Sequence, residues 1–257
     1  MKAYVINLAD RHDRMAFMQS QLEVQNIDFC RIDAVRPDNK QGFDSLYNSL
    51  TKQGLSRYEA CCALSHYKIW VSFLESDDEY RLILEDDIHL AEDTAEVLHA
   101  LSFKGWKEGV LKLDTLNATV TAARSVEFEC NQRLISEIFT THSGTAAYVL
   151  SRSTAELLVA AFANFRYAVD IEVFDTERRQ LNMIRVFQLS PACCIQDTLL
   201  PGSTLFSSIH ERQDSEGGLR RVLNSKIVTS IKPIYRLLYS VLLLPLGKKR
   251  TLVRFRG

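Results

Sequence analysis

The stretch Tyr80-Arg81-Leu82-Ile83-Leu84-Glu85-Asp86-Asp87-Ile88-His89 decides how the rest of the chain is interpreted. A short apolar run, suited to a buried strand, ends in three consecutive acids. Ligands of α/β sheets bind at strand ends, where loops converge over a rigid support. In an extended segment Glu85 and Asp87 face the same way, and such carboxylates repel each other unless a cation or donors offset the repulsion. The stretch predicts either a site for Mg²⁺ or Mn²⁺, which suit carboxylate oxygens, or an acidic turn that faces solvent.

Apolar runs and helical patterns alternate along the first 210 residues. Strands are expected over residues 3–8, 29–32, 82–84, 110–113, 133–139, 148–150 and 184–189. The pattern Ser56-Arg57-Tyr58-Glu59 is a capping box, and it predicts the start of a long helix. Strands that alternate with helices are typical of an α/β domain with a mainly parallel sheet.

The acidic and basic residues are unevenly distributed. Of the 31 basic residues, ten lie between residues 220 and 257, where there is no acid, and the other 21 share the rest of the chain with all 32 acids. This acidic body argues against nucleic-acid binding. The apolar run 237–246 is too short to span a bilayer, which needs about 20 residues. We expect residues 1–218 to form the domain and 219–257 a helical, basic tail that binds an anionic membrane surface. The alternative is a helix packed on the domain or a dimer contact.

The cysteines and the N-terminal sequence indicate in which cellular compartment the protein resides. The six cysteines form no C-x-x-C pair, which favours buried thiols in a reducing environment. The chain enters a strand at once, with no signal-peptide pattern. We therefore expect a cytoplasmic protein, peripheral on the inner face of the cytoplasmic membrane.

Two more groups of residues are candidates for a site. Arg11 and Arg14 lie near the tip of the first strand, which suggests an anionic partner, although a solvated face paired with Asp10 or Asp13 is as good an explanation. Asp170 and Glu172 are again two apart after an apolar pair. No glycine-rich phosphate loop follows the first strand, so a dinucleotide-binding fold is not supported.

Several stretches, in order, resemble glycosyltransferase family 25, the lipooligosaccharide-type galactosyltransferases. They cover about residues 2–210, and the order and spacing carry the resemblance rather than any one piece. The matching pieces are Val5-Ile6-Asn7-Leu8 with Arg11, Asp13 and Arg14; residues 57–70 with Glu59, Cys61, Ala63, Leu64, Ser65 and His66; Leu84-Glu85-Asp86-Asp87; Gly144 with Ala147-Tyr148; Val169-Asp170; and Pro191, Gln196 and Ser208-Ile209.

The resemblance implies a GT-A fold in which Glu85-Asp86-Asp87 is the D-x-D-type motif that holds Mn²⁺ or Mg²⁺ against the donor's diphosphate. The motif begins with Glu, so it is open which acid reaches the metal and which the donor ribose. The resemblance also implies inversion of configuration at the sugar carbon. It implies a nucleotide-sugar donor, commonly UDP-galactose, and a lipid-linked lipooligosaccharide or lipopolysaccharide acceptor.

By this resemblance each candidate residue receives a role. The expected metal ligands are Asp87 and Glu85, and the expected catalytic residues are Asp170 as base, then Glu172. The expected donor-binding residues are Asn7, Arg11, Arg14, Glu59, Ser65, His66, Glu85 and Asp86, and the expected acceptor-binding residues are Gly144, Tyr148 and Gln196. His66 and His210 are further candidates for donor contact or metal ligation.

Two other functions are compatible with acids at a strand tip. An aspartyl-phosphate hydrolase needs a nucleophilic Asp after the first strand, and here that strand ends in Asn7-Leu8. A catalytically silent sugar-nucleotide-binding or scaffold protein on a degenerate transferase fold is the second. The intact Asp87 and Asp170 argue against it.

Overall fold

The computed structural model describes residues 1–104, 108–203, 205 and 246–257. Its elements, in chain order, are β1 (Ala3–Asn7), α1 (His12–Val24), β2 (Phe29–Asp33), α2 (Asp44–Lys52), α3 (Arg57–Leu74), β3 (Tyr80–Glu85), β4 (Ile88–Leu90), α4 (Thr94–Lys104), β5 (Val110–Lys112), β6 (Asp114–Thr115), β7 (Thr119–Ala123), β8 (Phe128–Cys130), β9 (Arg133–Glu137), β10 (Ala147–Ser151), α5 (Arg152–Ala161), α6 (Val169–Phe174), β11 (Val186–Ser190), β12 (Cys194–Gln196) and β13 (Lys248–Leu252).

Eight strands form the central sheet in the order β2-β1-β3-β10-β5-β11-β9-β8. Six of them run in one direction, while β9 and β10 run the other way. The predicted α/β fold, with a mainly parallel sheet flanked by helices, is confirmed. Because β1, β2 and β3 are parallel neighbours, their carboxyl ends meet at one edge of the sheet. The antiparallel β10 brings its amino end to the same edge, since Ala147 pairs with Leu84.

Helices cover both faces of this sheet. Ile83 and Tyr148 belong to a buried cluster with α2, α3, α5 and α6 on one face. Leu82, Leu84 and Val149 belong to a second cluster with α1 and α4 on the other. A strand covered on both sides needs apolar residues at successive positions, which explains the unbroken apolar run of β3.

The long helix α3 begins where the capping box predicts. The Ser56 hydroxyl accepts a hydrogen bond from the Glu59 amide at 3.2 Å, and the Ser56 amide donates to the Glu59 carboxylate at 2.8 Å. These bonds satisfy backbone donors that the first turn of a helix leaves without partners. The cap therefore sets the register that places Cys62, Ser65 and His66 on α3.

The last twelve residues return to the domain. Lys248–Leu252 forms β13 and pairs antiparallel with β7. Val253 is fully buried, and its carbonyl accepts from the Thr115 hydroxyl at 2.7 Å. The buried Arg133 joins Asp93 to the carbonyls of Ala192 and Arg256. For residues 246–257 the expectation of a helical tail is therefore wrong, because backbone pairing with β7 satisfies this segment as a strand.

The rest of the expected tail, residues 219–245, lies outside the described residues, as do Ser208, Ile209 and His210. The domain division at residue 218 and the membrane-associating role of the tail stay predictions. Within the part of the chain that the structure describes, none of the helices is long and apolar enough to cross a membrane.

The neutral histidine His142 is buried between β11 and the residues that follow β6. The Nδ1 atom of His142 lies 2.6 Å from the Gln188 side-chain oxygen, so Nδ1 carries the proton, and Nε2 accepts from the Leu116 amide at 3.2 Å. Burial, helped by the positive charge of Lys112, lowers the pKa of His142 from 6.5 to about 3. Between about pH 3 and pH 6.5 this imidazole is therefore neutral in the folded protein, whereas it is protonated in the unfolded chain.

Replacement of Val253 by Ala tests whether the C-terminal strand is docked in solution. The variant leaves a cavity under β13 and should lose about 2 kcal/mol of unfolding free energy. Leu252→Ala is the matched control: Leu252 is 44% exposed, and its replacement should cost no more than about 0.5 kcal/mol. Urea unfolding measures both variants, and equal losses would show that the segment does not pack as described.

The pKa of His142 predicts part of the acid sensitivity of the fold. As the pH falls from 6.5 towards 3, the unfolded chain gains a proton that the folded state refuses, so stability falls by about 1.4 kcal/mol per pH unit from this group. Above pH 6.5 the group contributes no pH dependence. In His142→Gln the unfolding free energy should therefore decline less steeply between pH 6 and pH 4. The exposed His12, replaced as His12→Gln, is the control; identical slopes in the two variants would contradict the assignment.

Candidate active site

Glu85, Asp86 and Asp87 all reach one pocket at the carboxyl edge of the sheet. Glu85 ends β3, and the two aspartates form the turn into β4. The loop after β2 and one face of α3 form the opposite wall. The lining residues are Ile6, Leu8, Arg14, Ala34, Val35, Arg36, Pro37, Tyr58, Cys61, Cys62, Ser65, His66, Glu85, Asp86, Asp87 and Gln196. Parallel strands that end side by side thus bring distant segments to one cavity, as the position of the acids predicts.

Asp86 is fully engaged by the protein itself. One carboxylate oxygen accepts from the Asn7 amide group at 2.7 Å, and the other accepts from Arg14 at 2.8 Å. Burial raises the pKa of Asp86, and the charge of Arg14 and the hydrogen bond from Asn7 offset only part of that rise. Asp86 therefore fastens the acidic turn to β1 and α1.

Asp87 is held more loosely. Its contacts are 3.3 Å to Arg14 and 3.3 Å to the side-chain nitrogen of Gln196. Gln196 arrives because β12 pairs with β4 opposite Ile88. Burial raises the pKa of Asp87 to about 7; the charges of Glu85 and Asp86 add to the rise, and Arg14 and Gln196 counteract it. A cation bound here would favour the ionised form of this crowded carboxylate.

Glu85 is oriented by two polar neighbours. Its Oε1 atom accepts from the Thr145 hydroxyl at 2.7 Å and lies 3.6 Å from Nε2 of His66. Burial raises the pKa of Glu85, but its contact with His66, the Thr145 hydroxyl and the charge of Lys112 outweigh it, so this pKa lies below its usual value. The pKa of Glu85 is thus lowered and that of Asp87 is raised, although the two residues are only two positions apart.

His66 belongs to a buried polar chain. The Trp70 ring nitrogen donates to the Tyr148 hydroxyl at 3.0 Å, and that hydroxyl lies 2.9 Å from Nδ1 of His66. If the Tyr148 hydroxyl donates a hydrogen bond to Nδ1, the imidazole proton is on Nε2 and points at Glu85. Every polar atom of this hydrogen-bonded chain then has a partner, so we assign this tautomer. The chain fixes the plane of the imidazole at the pocket wall.

Asp170 is not among the residues that line the pocket, although burial, together with the charge of Asp170, raises the pKa of the Cys62 thiol in the pocket wall. Asp170 is in the short helix α6, and its carboxylate accepts from the Gly144 amide at 3.1 Å. Gly144 has a φ of +89°, a left-handed conformation that favours glycine. Its carbonyl accepts from Lys112, which also binds Asp114 at 2.9 and 3.0 Å. A buried ion pair thus supports the loop that orients Asp170.

The structure brings most of the predicted site residues together. Arg14, Ser65, His66, Glu85, Asp86, Asp87 and Gln196 line the pocket, and Asn7 reaches it through Asp86. Two predicted donor-binding residues do not lie there. Arg11 forms an ion pair with the exposed Asp13, and the Glu59 carboxylate caps α3.

Glu172 and Tyr148 have structural roles that the sequence did not reveal. Residues 169–174 are helical, so Asp170 and Glu172 point to different sides rather than together. The buried Glu172 carboxylate accepts from the amides of Arg166 and Tyr167, which explains it without catalysis. Tyr148 is fully buried, so a direct acceptor contact, as predicted, does not fit its position.

Sequence reasoning also missed several residues of the site. Arg36 lies in the loop after β2, and the strand-end rule that selected Glu85 would have selected it. Cys62 precedes His66 by one helical turn and faces the same pocket. Thr145 and Lys112 gave no signal, because their roles depend on contacts across the sheet.

Comparison with known proteins confirms the resemblance that the sequence shows. Residues 1–173 match the profile of glycosyltransferase family 25, described as an LPS biosynthesis protein. A Haemophilus influenzae protein provisionally named a glycosyltransferase is 32% identical over 236 residues, covering 89% of this chain and 82% of its own. The lipooligosaccharide biosynthesis protein lic2B of Haemophilus influenzae is 26% identical, covering 76% of this chain and 75% of its own. The lacto-N-neotetraose biosynthesis glycosyltransferase LgtE of Neisseria meningitidis serogroup B is 27% identical, covering 90% and 88%.

Proposed function

This chain belongs to glycosyltransferase family 25, and we propose that it transfers a hexose, galactose from UDP-galactose, to a lipid-linked lipooligosaccharide or lipopolysaccharide glycan. The proposed reaction depends on Mn²⁺ or Mg²⁺ and inverts the configuration at the sugar carbon. One observation carries the proposal: three consecutive carboxylates converge on one pocket, where both aspartates share their ion pair with Arg14. Such an excess of buried negative charge is costly without a cation. The names of the relatives support the class of acceptor.

The residues present fit a hard divalent cation. Asp87 and Glu85 would hold it, because carboxylate oxygens suit Mg²⁺ and Mn²⁺. Asp86 is the weaker candidate, since Asn7 and Arg14 already occupy its two oxygens. When bound, the ion would neutralise the charge of the donor's diphosphate. We therefore choose Asp87 over Asp86, because the protein itself forms fewer close contacts with the Asp87 carboxylate.

The pocket wall supplies the other donor contacts. Arg14 places a guanidinium beside the acidic turn, close to where a diphosphate would meet the cation. His66 lines the pocket from α3, and the polar chain through Tyr148 keeps its ring from turning. The Ser65 hydroxyl donates to the Cys61 carbonyl at 2.8 Å and accepts from the Val35 amide at 2.9 Å, so it is already bound within the pocket wall. We propose that Arg14 and His66 orient the donor. Arg11 and Glu59 are not included, because neither is among the residues that line the pocket.

Asp170 is the proposed base. In a single displacement its carboxylate takes the proton of the acceptor hydroxyl while that oxygen bonds to the sugar carbon. The bond from the sugar to the diphosphate breaks, and the diphosphate leaves with the electron pair. The Gly144 amide, itself placed by Lys112, holds the carboxylate in position. Glu172 cannot share this role while it binds backbone amides.

Replacement of Asp87 by Asn tests the cation site. Removal of one charged ligand should lower metal-dependent kcat/KM by on the order of 10²–10³-fold. The free energy of unfolding should not fall by more than about 1 kcal/mol, because the substitution relieves crowding among three acids. The control is Asp33→Asn, an exposed acid that ends β2, which is separated from β3 by β1 in the sheet. Coupled assays with nucleotide sugars, with and without Mn²⁺, measure the effect.

Full activity of Asp87→Asn, or wild-type turnover that persists in chelator, would rule out this cation site. A wild-type chain that binds nucleotide sugars but neither transfers nor hydrolyses them with Mn²⁺ would instead support the catalytically silent alternative.

Replacement of Asp170 by Asn separates chemistry from donor binding. Loss of the base should lower kcat by about 10²–10⁴-fold while the donor Kd stays within about twofold. Glu172→Ala is the contrasting variant: it removes an acceptor of buried backbone amides, so it should cost about 1–3 kcal/mol of stability. Donor titration calorimetry and single-turnover transfer measure the two effects. If Asp170→Asn weakens donor binding as much as it weakens transfer, Asp170 belongs to the donor site.

A further inference from the structure

A thiol, an imidazole and a carboxylate meet at the wall of the pocket. The ligand atoms of Cys62, His66 and Glu85 all lie within 4.8 Å of one another. Among the residues that the structure describes, no other three His, Cys, Asp or Glu side chains lie close enough together to share one ion. The set contains sulfur and nitrogen, so it differs in kind from the oxygen ligands of Asp87.

The positions of the three residues suit a tetrahedral ion. Cys62 and His66 are four residues apart on α3, so their side chains lie on one face of the helix. Nε2 of His66 is 3.6 Å from Oε1 of Glu85. Two ligands of a tetrahedral zinc are separated by about 3.3–3.6 Å, given bonds of about 2.0–2.3 Å. The His66–Glu85 edge is therefore close to this spacing already, and the Cys62 sulfur, which lies within 4.8 Å of both other ligand atoms, must approach by on the order of 1 Å.

Hydrogen bonds from neighbouring side chains orient both Glu85 and His66, the two residues that meet the Cys62 thiol. The Thr145 hydroxyl donates to Glu85 at 2.7 Å, and the Tyr148 hydroxyl lies 2.9 Å from Nδ1 of His66. Ligating histidines in metal sites are oriented by a hydrogen bond at the other ring nitrogen. An ion on Nε2 requires the other tautomer, in which Nδ1 carries the proton and donates it to the Tyr148 oxygen. The three side chains sit on a helix and a central strand, which are rigid supports.

We propose that Cys62, His66 and Glu85 form a Zn²⁺ site that shares Glu85 with the carboxylate site at Asp87. Zinc accepts thiolate, imidazole and carboxylate ligands in one tetrahedral shell, whereas Mg²⁺ and Mn²⁺ prefer oxygen. The fourth position faces the pocket, because all three residues line it. Binding displaces the Cys62 thiol proton into solution. Zinc at this position occupies the wall of the pocket and competes for Glu85.

The test measures zinc binding to the full chain without turnover, so its outcome does not depend on the proposed transfer reaction. A chromophoric chelator competes with the protein for Zn²⁺. Wild type should bind one Zn²⁺ per chain, and Cys62→Ser and His66→Gln should each weaken its affinity by at least about 100-fold. Cys61→Ser is the matched control, since Cys61 precedes Cys62 on the same helix but is not in the cluster; it should retain wild-type affinity. Asp87→Asn should also retain it.

A second measurement on wild type removes any dependence on variants that fold poorly. Co²⁺ substituted for Zn²⁺ should show an intense sulfur-to-metal charge-transfer absorption, which requires a cysteine ligand, and Zn²⁺ should abolish it. The proposal is overturned if wild type binds Zn²⁺ no more tightly than Cys62→Ser, if the Co²⁺ form lacks that absorption, or if Asp87→Asn loses the site.

Discussion

The geometry of the pocket depends on the buried carboxylate of Asp86. Its two oxygens bind Asn7 at the end of β1 and Arg14 on α1, and so join the turn after β3 to its neighbours. Removing a charged pair from water is expensive, and good hydrogen bonding must offset that cost. Here each oxygen has a short contact, and Arg14 and Asp86 are both nearly inaccessible to solvent. With Asp86 fixed, Glu85 and Asp87 are presented on the pocket side of the same turn.

The remaining charges of this turn are incompletely balanced. Arg14 contributes one positive charge against two aspartates, and the pKa of Asp87 rises to about 7 as a result of burial and of its acidic neighbours. A fold selected only for stability would not retain such crowding, because each buried carboxylate without a close partner is destabilising. Strained electrostatics of this kind are typical of functional sites, where a ligand supplies the missing charge.

Residues away from the ligand positions keep the site in shape. Lys112 carries no role in the proposed chemistry, yet it binds the Gly144 carbonyl and so supports the amide that holds Asp170. Tyr148 similarly acts on the pocket through His66, and not through direct contact. Both are fully buried, where a satisfied polar network gives a single arrangement and an unsatisfied one would be costly. The proposed zinc site uses the same supports, since Thr145 and Tyr148 orient two of its three ligands.

Local pattern alone determined seven of the eight strands of the central sheet, the capped start of α3 and the position of the acids at the end of β3, because hydrophobic period and capping are properties of neighbouring residues. Tertiary structure decided the rest. It assigned Asp86 to the scaffold and left Asp87 available, since Asn7 and Arg14 are more than seventy positions away. It made residues 248–252 a strand through pairing with β7, against their expected helical state. Partners so distant along the chain leave no periodic trace in the sequence, and only the folded sheet brings them into contact.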